Sequence, residues 1–195
     1  MLRGADYRGH PGVVVDAAAF VHPSAQIYGD VRIAAHASVW PNVVMRAETQ
    51  HIEIGEGANI QDFVMVHIGY STPTIVGPWS SITHHVTLHG CTIGADCLIG
   101  INATIMDGAV IGDNSIVAGH AFIKEGTIIP PNSIVMGQPA RVARERNNQR
   151  ANRMNGVLYK LNAAAYAAGD FRVWSRPDNF SVADAEVRRM LGDAG

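Results

Sequence analysis

Lysine is nearly missing from this chain. Of its 15 cationic residues, only Lys124 and Lys160 are lysines. Charged residues make up 16% of the 195, below the usual quarter, and the net charge is -2. This balance gives no reason to expect a nucleic acid or an anionic membrane as partner. Five arginines do cluster in "RVARERNNQRANR" (141–153). The expectation there is a solvated or oligomer-facing helix surface rather than a nucleic-acid patch. Cysteine is as scarce. Cys91 and Cys97 are the only two, too few for a disulfide framework and without the C-x-x-C spacing of zinc or redox sites. No stretch approaches the roughly 18 apolar residues of a membrane span. The opening "MLRGADYRGHPG" has no apolar core, so no signal peptide is expected. A reducing, cytoplasmic setting follows as the simplest expectation.

What the chain has in abundance is regularity. An aliphatic residue recurs at Val15, Val21, Ile27, Ile33, Val39 and Met45, then at Ile54, Ile60 and Val66. It continues at Val76, Ile82 and Leu88, and then from Ile93 through Ile99, Ile105, Ile111, Val117, Ile123 and Ile129 to Val135. Of the 19 intervals between these 20 anchors, 16 are six residues and the others are nine, ten and five. Four residues after an anchor the side chain is mostly small, as at Ala25, Ala37, Ala58, Ser80, Thr92, Cys97, Ala103 and Ala109. Ser115, Ala121, Thr127 and Ser133 extend that series.

Neither the helical period nor simple alternation produces a strict six over this length. A unit with one large and one small inward residue suits a parallel β-helix. Each hexad makes a short strand and a turn, and three hexads make one triangular coil. Coils stacked about 4.8 Å apart give a prism on the order of 30 Å long. Cys97, at a small inward position, is expected in the core.

The repeat ends near "GQPARV" (137–142), so the expected division is a prism over 1–142 and a helical extension over 143–195. Met154, Val157, Leu158, Leu161 and Ala165 follow helical spacing, with Gly169 as a stop. The expected helix packs along one face of the prism. "SVADAEVRRMLG" (181–192) reads as a second, short helix opened by Ser181 with Asp184 three residues on.

Nine histidines are present, and "THHVTLHG" (83–90) holds His84, His85 and His89. The repeat decides which of them meet. Residues three anchors apart lie one coil apart on the same face. His67 and His89 each follow an anchor, Val66 and Leu88, by one, so they are expected to stack on one outward column. Arg46, after Met45, continues it. The extra residues between them form a corner loop, "GYSTPT". Gln61 and Asp62 lie beside Thr83 and His84 on the preceding face. His84 is therefore on a different face from the His67–His89 pair, and a three-histidine site needs a second subunit. That geometry predicts a trimer with metals at its interfaces. His10, His22, His36, His51 and His120 have no such partner and read as surface or loop residues.

On these features the chain resembles the gamma class of carbonic anhydrases, within the hexapeptide-repeat superfamily. The resemblance rests on "NIQDFVMVH" (59–67), "THHVTLHGCTIG" (83–94), "IMDGAVIGD" (105–113) and "GQPAR" (137–141). It implies an all-β, left-handed prism, although parallel crossovers are otherwise right-handed in about 98% of cases. It implies a metal bound by His67 and His89 of one subunit and His84 of its neighbour, with His85 outside the ligand set. Zinc is the expected metal, with iron and cobalt also suited to imidazole. The implied activity is reversible hydration of CO2 to bicarbonate by a metal-bound hydroxide. Gln61 would orient reactants, Arg46 and Asp62 would pair across the interface, and Glu48 would accept a proton or complete that ion pair. The family's Arg-Gly-Asp is Arg46-Ala47-Glu48 here, and "GYSTPT" carries no acid. Two other readings of the prism stand beside this one. One is a hexapeptide acyltransferase, which needs a single histidine base. The other is a metal-binding scaffold with little hydratase activity.

Overall fold

The computed structural model describes residues 11–192. The chain winds as a left-handed parallel β-helix of about seven turns, and α1 (Gln149–Ala167) and α2 (Asn179–Leu191) follow it. Successive coils pair in register: Leu88 sits between Val66 and Ile105, and Ile99 between Ile82 and Val117. Ile99, Ile105 and Ile111, one from each face of a coil, are all fully buried. The core is thus the aliphatic ladder that the six-residue spacing predicts.

The corners explain why six residues suffice for a strand and a turn. The residue three after an anchor takes a left-handed backbone. Along one corner these are Asn42, Phe63, His85, Asn102 and His120, with φ between 59 and 61°. Along the next they are His36, Gly57, Trp79, Asp96, Asn114 and Asn132. Asn, Asp, His and Gly tolerate that region best, whereas the backbones of Phe63 and Trp79 are held there by N–H bonds to the Pro41 and Glu56 carbonyls of the preceding coil.

All three irregular intervals fall at the third corner. From Met45 to Ile54 the strand Val44–Ile54 bends around it without a break, which is why two faces merge into one eleven-stranded sheet. From Val66 to Val76 the loop 69–73 bulges out. From Leu88 to Ile93 the corner is cut short at Gly90, at φ 56°. The shortened turn corrects one expectation. Cys91, 1% exposed, fills the small inward position, while Thr92 points outward and pairs with Ile75 and Val110.

The helix α1 lies along the eight-stranded face, as its spacing predicts. Val157 and Leu158 are buried there, and Gly169 follows its end at φ 79°. Gly156 lets the helix backbone approach the Trp79 ring, and Arg153 lies 5.2 Å above that ring. Arg153 also grips the buried Asp96 carboxylate through two bonds of 2.6 and 2.8 Å. The arginine run is therefore not a single solvated helix surface. Arg141 and Arg144 lie on the strand Ala140–Glu145, which returns antiparallel to Ser133–Gly137, and Arg153 is a docking residue. The expected division at residue 142 lies within that strand. The second helix begins at Asn179, not at Ser181, whose hydroxyl donates to the Asp178 carbonyl inside the first turn. Asp184 pairs with Arg188 and Arg150 instead of capping. Among the described residues no helix is long and apolar enough to cross a membrane.

Candidate metal centre

His67 and His89 close adjacent strands of one face, Met65–His67 and Thr87–His89, and stand directly opposite each other in the ladder. Nδ1 of His67 lies 3.1 Å from Nε2 of His89. Each ring is held from behind by a carboxylate. His67 Nε2 lies 3.0 Å from Glu48 Oε2, and His89 Nδ1 lies 2.9 Å from Asp107 Oδ1. A neutral imidazole has one N–H, and a carboxylate can only accept. For neutral rings these hydrogen bonds put each N–H toward its carboxylate and turn the two remaining lone pairs toward each other, an arrangement that a cation between them would satisfy.

Two imidazoles on one tetrahedral zinc, at about 2.0–2.1 Å each, hold their nitrogens roughly 3.3 Å apart. The observed separation is close to this, so the pair fits a metal. Among the described residues no three His, Cys, Asp or Glu side chains of one chain converge on a common point.

Arg46 stacks beside His67 in the same column and donates to Glu48, tying the upstream acid to the histidine pair. Ala47 is buried and Gly29 packs against its backbone, so the strand here stays tight. His84 turns the preceding corner. Its Nδ1 lies 3.2 Å from Asp62 Oδ2, and its side chain is 39% exposed. His85 stacks flat on the exposed Phe63, with centroids 5.0 Å apart and planes 2° apart. It therefore faces away from the pair.

Gln61 is buried beneath α1. Its Nε2 donates to Asn59 Oδ1 at 2.9 Å, Asn59 donates to Ser81 Oγ at 2.8 Å, and Asn155 of the helix donates to the same hydroxyl. Tyr159 of α1 has its phenol pushed up to about 12 by burial, with the Asp62 carboxylate adding to the effect. The expected site residues thus form two groups. His67, His89, Arg46 and Glu48 share one face, whereas His84, Asp62 and Gln61 stand at and beside the preceding corner. His22, His36 and His120 stand apart from both, His51 pairs with Glu53 and lines a cavity beside Glu48, and His10 lies outside the described residues.

Sequence reading missed Asp107. The signal was available: it lies 18 residues after His89, one more than the coil at this point, inside the motif "IMDGAVIGD". Its column position belongs to Met106, and only the side chain reaching back across the coil makes the contact.

Comparison with known proteins bears on this site. A family model described as "Bacterial transferase hexapeptide (six repeats)" matches residues 90–125. Gamma carbonic anhydrase 1, mitochondrial, of Arabidopsis thaliana is 41% identical over 100 residues, 48% of this chain and 36% of that protein. Carnitine operon protein CaiE of Escherichia coli O1:K1 / APEC is 46% identical over 94 residues, 48% of each chain. The present chain thus spans less than half the length of the curated relatives it matches. Two solved structures align over 80% of this chain and 92% of their own length. The BC4754 gene product of Bacillus cereus, described as a candidate acetyltransferase, is 30% identical with a TM-score of 0.78. A hexapeptide transferase family protein from Anaplasma phagocytophilum is 33% identical with a TM-score of 0.71. The chain belongs to the hexapeptide-repeat family, with gamma carbonic anhydrases and CaiE proteins among its curated relatives.

Proposed function

We propose that this chain assembles as a homotrimer whose subunits share three metal sites, and that these sites hydrate CO2 reversibly to bicarbonate. One observation carries the reading. His67 and His89 aim two lone pairs at one point, 3.1 Å apart, each ring backed by a carboxylate. His84, from a neighbouring subunit, would supply the third imidazole. The relatives named gamma carbonic anhydrase support the choice of reaction.

His67 and His89 of one subunit with His84 of its neighbour would hold a zinc, which would supply a water activated near neutral pH. The chain's own residues do the rest. Glu48 holds His67 and is in turn held by Arg46, so the acid orients a ligand and stands at the edge of the site as a proton acceptor. Asp62 holds His84 and leaves that ring's Nε2 free to reach across an interface. Gln61 buttresses this corner from beneath α1. At 2% exposed, with one amide N–H bonded to Asn59, it acts as a support of this corner rather than as a contact to reactants. The loop "GYSTPT" brings no acid to carry the proton onward, so it passes from Glu48 to bulk buffer and turnover is modest. A cytoplasmic location is part of the proposal and accords with two free, buried thiols.

The test is metal analysis and stopped-flow CO2 hydration on one preparation. One metal per chain with buffer-dependent hydration is the expected result. A fully metallated trimer without hydration above background would move the protein to the scaffold reading. An acyltransferase is the second reading, favoured by the description of the Bacillus cereus structure. Absence of bound metal, together with acyl transfer from acetyl-CoA that depends on one histidine, would establish it.

A further inference from the structure

Asp107 is the charged group behind His89 that the proposed reaction does not itself use. Its Oδ1 accepts from His89 Nδ1 at 2.9 Å and faces the Thr72 hydroxyl at 3.4 Å. Thr72 belongs to the corner loop that separates the two coils of the histidine pair, and the Gly69 N–H donates to the Thr72 carbonyl at 2.9 Å. Space for this contact is made by two missing side chains. A Cβ at Gly69 or at Gly90 would overlap both Asp107 Oδ1 and Thr72 Oγ1. Gly90 is also required by its backbone, at φ 56°, whereas Gly69 has no such requirement. The slot at Gly69 therefore exists for the carboxylate and hydroxyl that fill it.

We propose that Asp107 is the positioning residue for His89. It accepts the hydrogen bond of the Nδ1–H group and thereby keeps Nε2 as the lone-pair face turned to His67, and the loop 69–73 holds Asp107 in register through Thr72. The inference rests on the metal reading above and adds a residue to it. Asp107 touches neither the proposed metal point nor His67. A carboxylate behind a ligating imidazole fixes the tautomer and the ring angle, and losing such a partner weakens metal binding about 10–100-fold.

The experiment uses the full chain, labelled with 15N at histidine, as wild type, Asp107→Ala and Gly69→Ala. Two quantities are read. One is the His89 tautomer in the metal-free protein, from long-range proton–nitrogen correlations. The other is zinc affinity against a chromophoric chelator, with light scattering to check assembly. Wild-type His89 is expected as the Nδ1–H tautomer. Asp107→Ala should lose that preference and bind zinc roughly 10–100-fold more weakly. Gly69→Ala removes no polar group, yet should shift both readouts the same way by displacing the carboxylate, and it decides the matter if Asp107→Ala fails to fold. An Nε2–H tautomer in the wild type would overturn the inference. So would zinc affinity within about threefold of wild type in whichever variant folds. A wild type that takes up no zinc at all would instead overturn the metal reading, and this inference with it.

Discussion

At the scale of single residues, the spacing of the anchors carried the site. His67 and His89 are 22 residues apart in sequence, yet one position after each anchor was enough to stack them. The same arithmetic failed at Thr92, because a five-residue interval moves the inward position one place earlier, to Cys91. It also passed over Asp107, because a column count gives where a Cβ starts and not how far a side chain reaches. The two cysteines yield a prediction at this scale. Burial raises both thiols from 9.0 to about 12. The folded chain keeps them neutral while the unfolded chain ionises, so their contribution to stability is full below pH 9.0 and fades as pH climbs toward 12. Iodoacetamide at about pH 8 should leave the native protein unmodified and alkylate both thiols once it is unfolded. Mass spectrometry reads the outcome, and rapid labelling of native protein would place a thiol outside the core.

At the scale of elements, each hexad's strand and turn were legible because the repeat is nearly exceptionless. The returning strand Ala140–Glu145 was not, since its alternation is short and mostly exposed. Nor was the docking role of Arg153, which depends on Asp96, 57 residues away, standing at a corner under the helix. The pair is largely buried, with side chains 13% and 2% exposed. Arg153→Ala leaves the buried Asp96 carboxylate without a charged partner among the described residues, with only the 3.3 Å bond from Gln149 Nε2, and should cost about 3–5 kcal/mol. Urea unfolding followed by helical circular dichroism measures this, and a cost below about 1 kcal/mol would mean the helix docks through its apolar face alone. Ile105→Ala in the prism core should cost about 2–5 kcal/mol in the same assay. A smaller loss would show that the ladder collapses around the gap.

At the scale of the whole molecule, the three irregular intervals all sit at one corner, and that corner borders the His67–His89 column. The sequence displayed these breaks as lapses in period. Only the fold shows that they cluster where Glu48, the loop 69–73 and Asp107 close around the two rings. The distance between the two histidine groups was legible too, because His84 follows an anchor on another face. Assembly is what would join them, and this is the central claim. Its most direct measurement is subunit mixing. His84→Ala and His67→Ala trimers, each binding little metal alone, are dissociated, combined and reassembled, and zinc per chain is then counted. Shared sites predict that mixing restores part of the zinc, because an intact His84 on one subunit again meets an intact His67–His89 pair on another. Full zinc occupancy in His84→Ala trimers, or no recovery after reassembly, would contradict the account and leave His84 a surface residue.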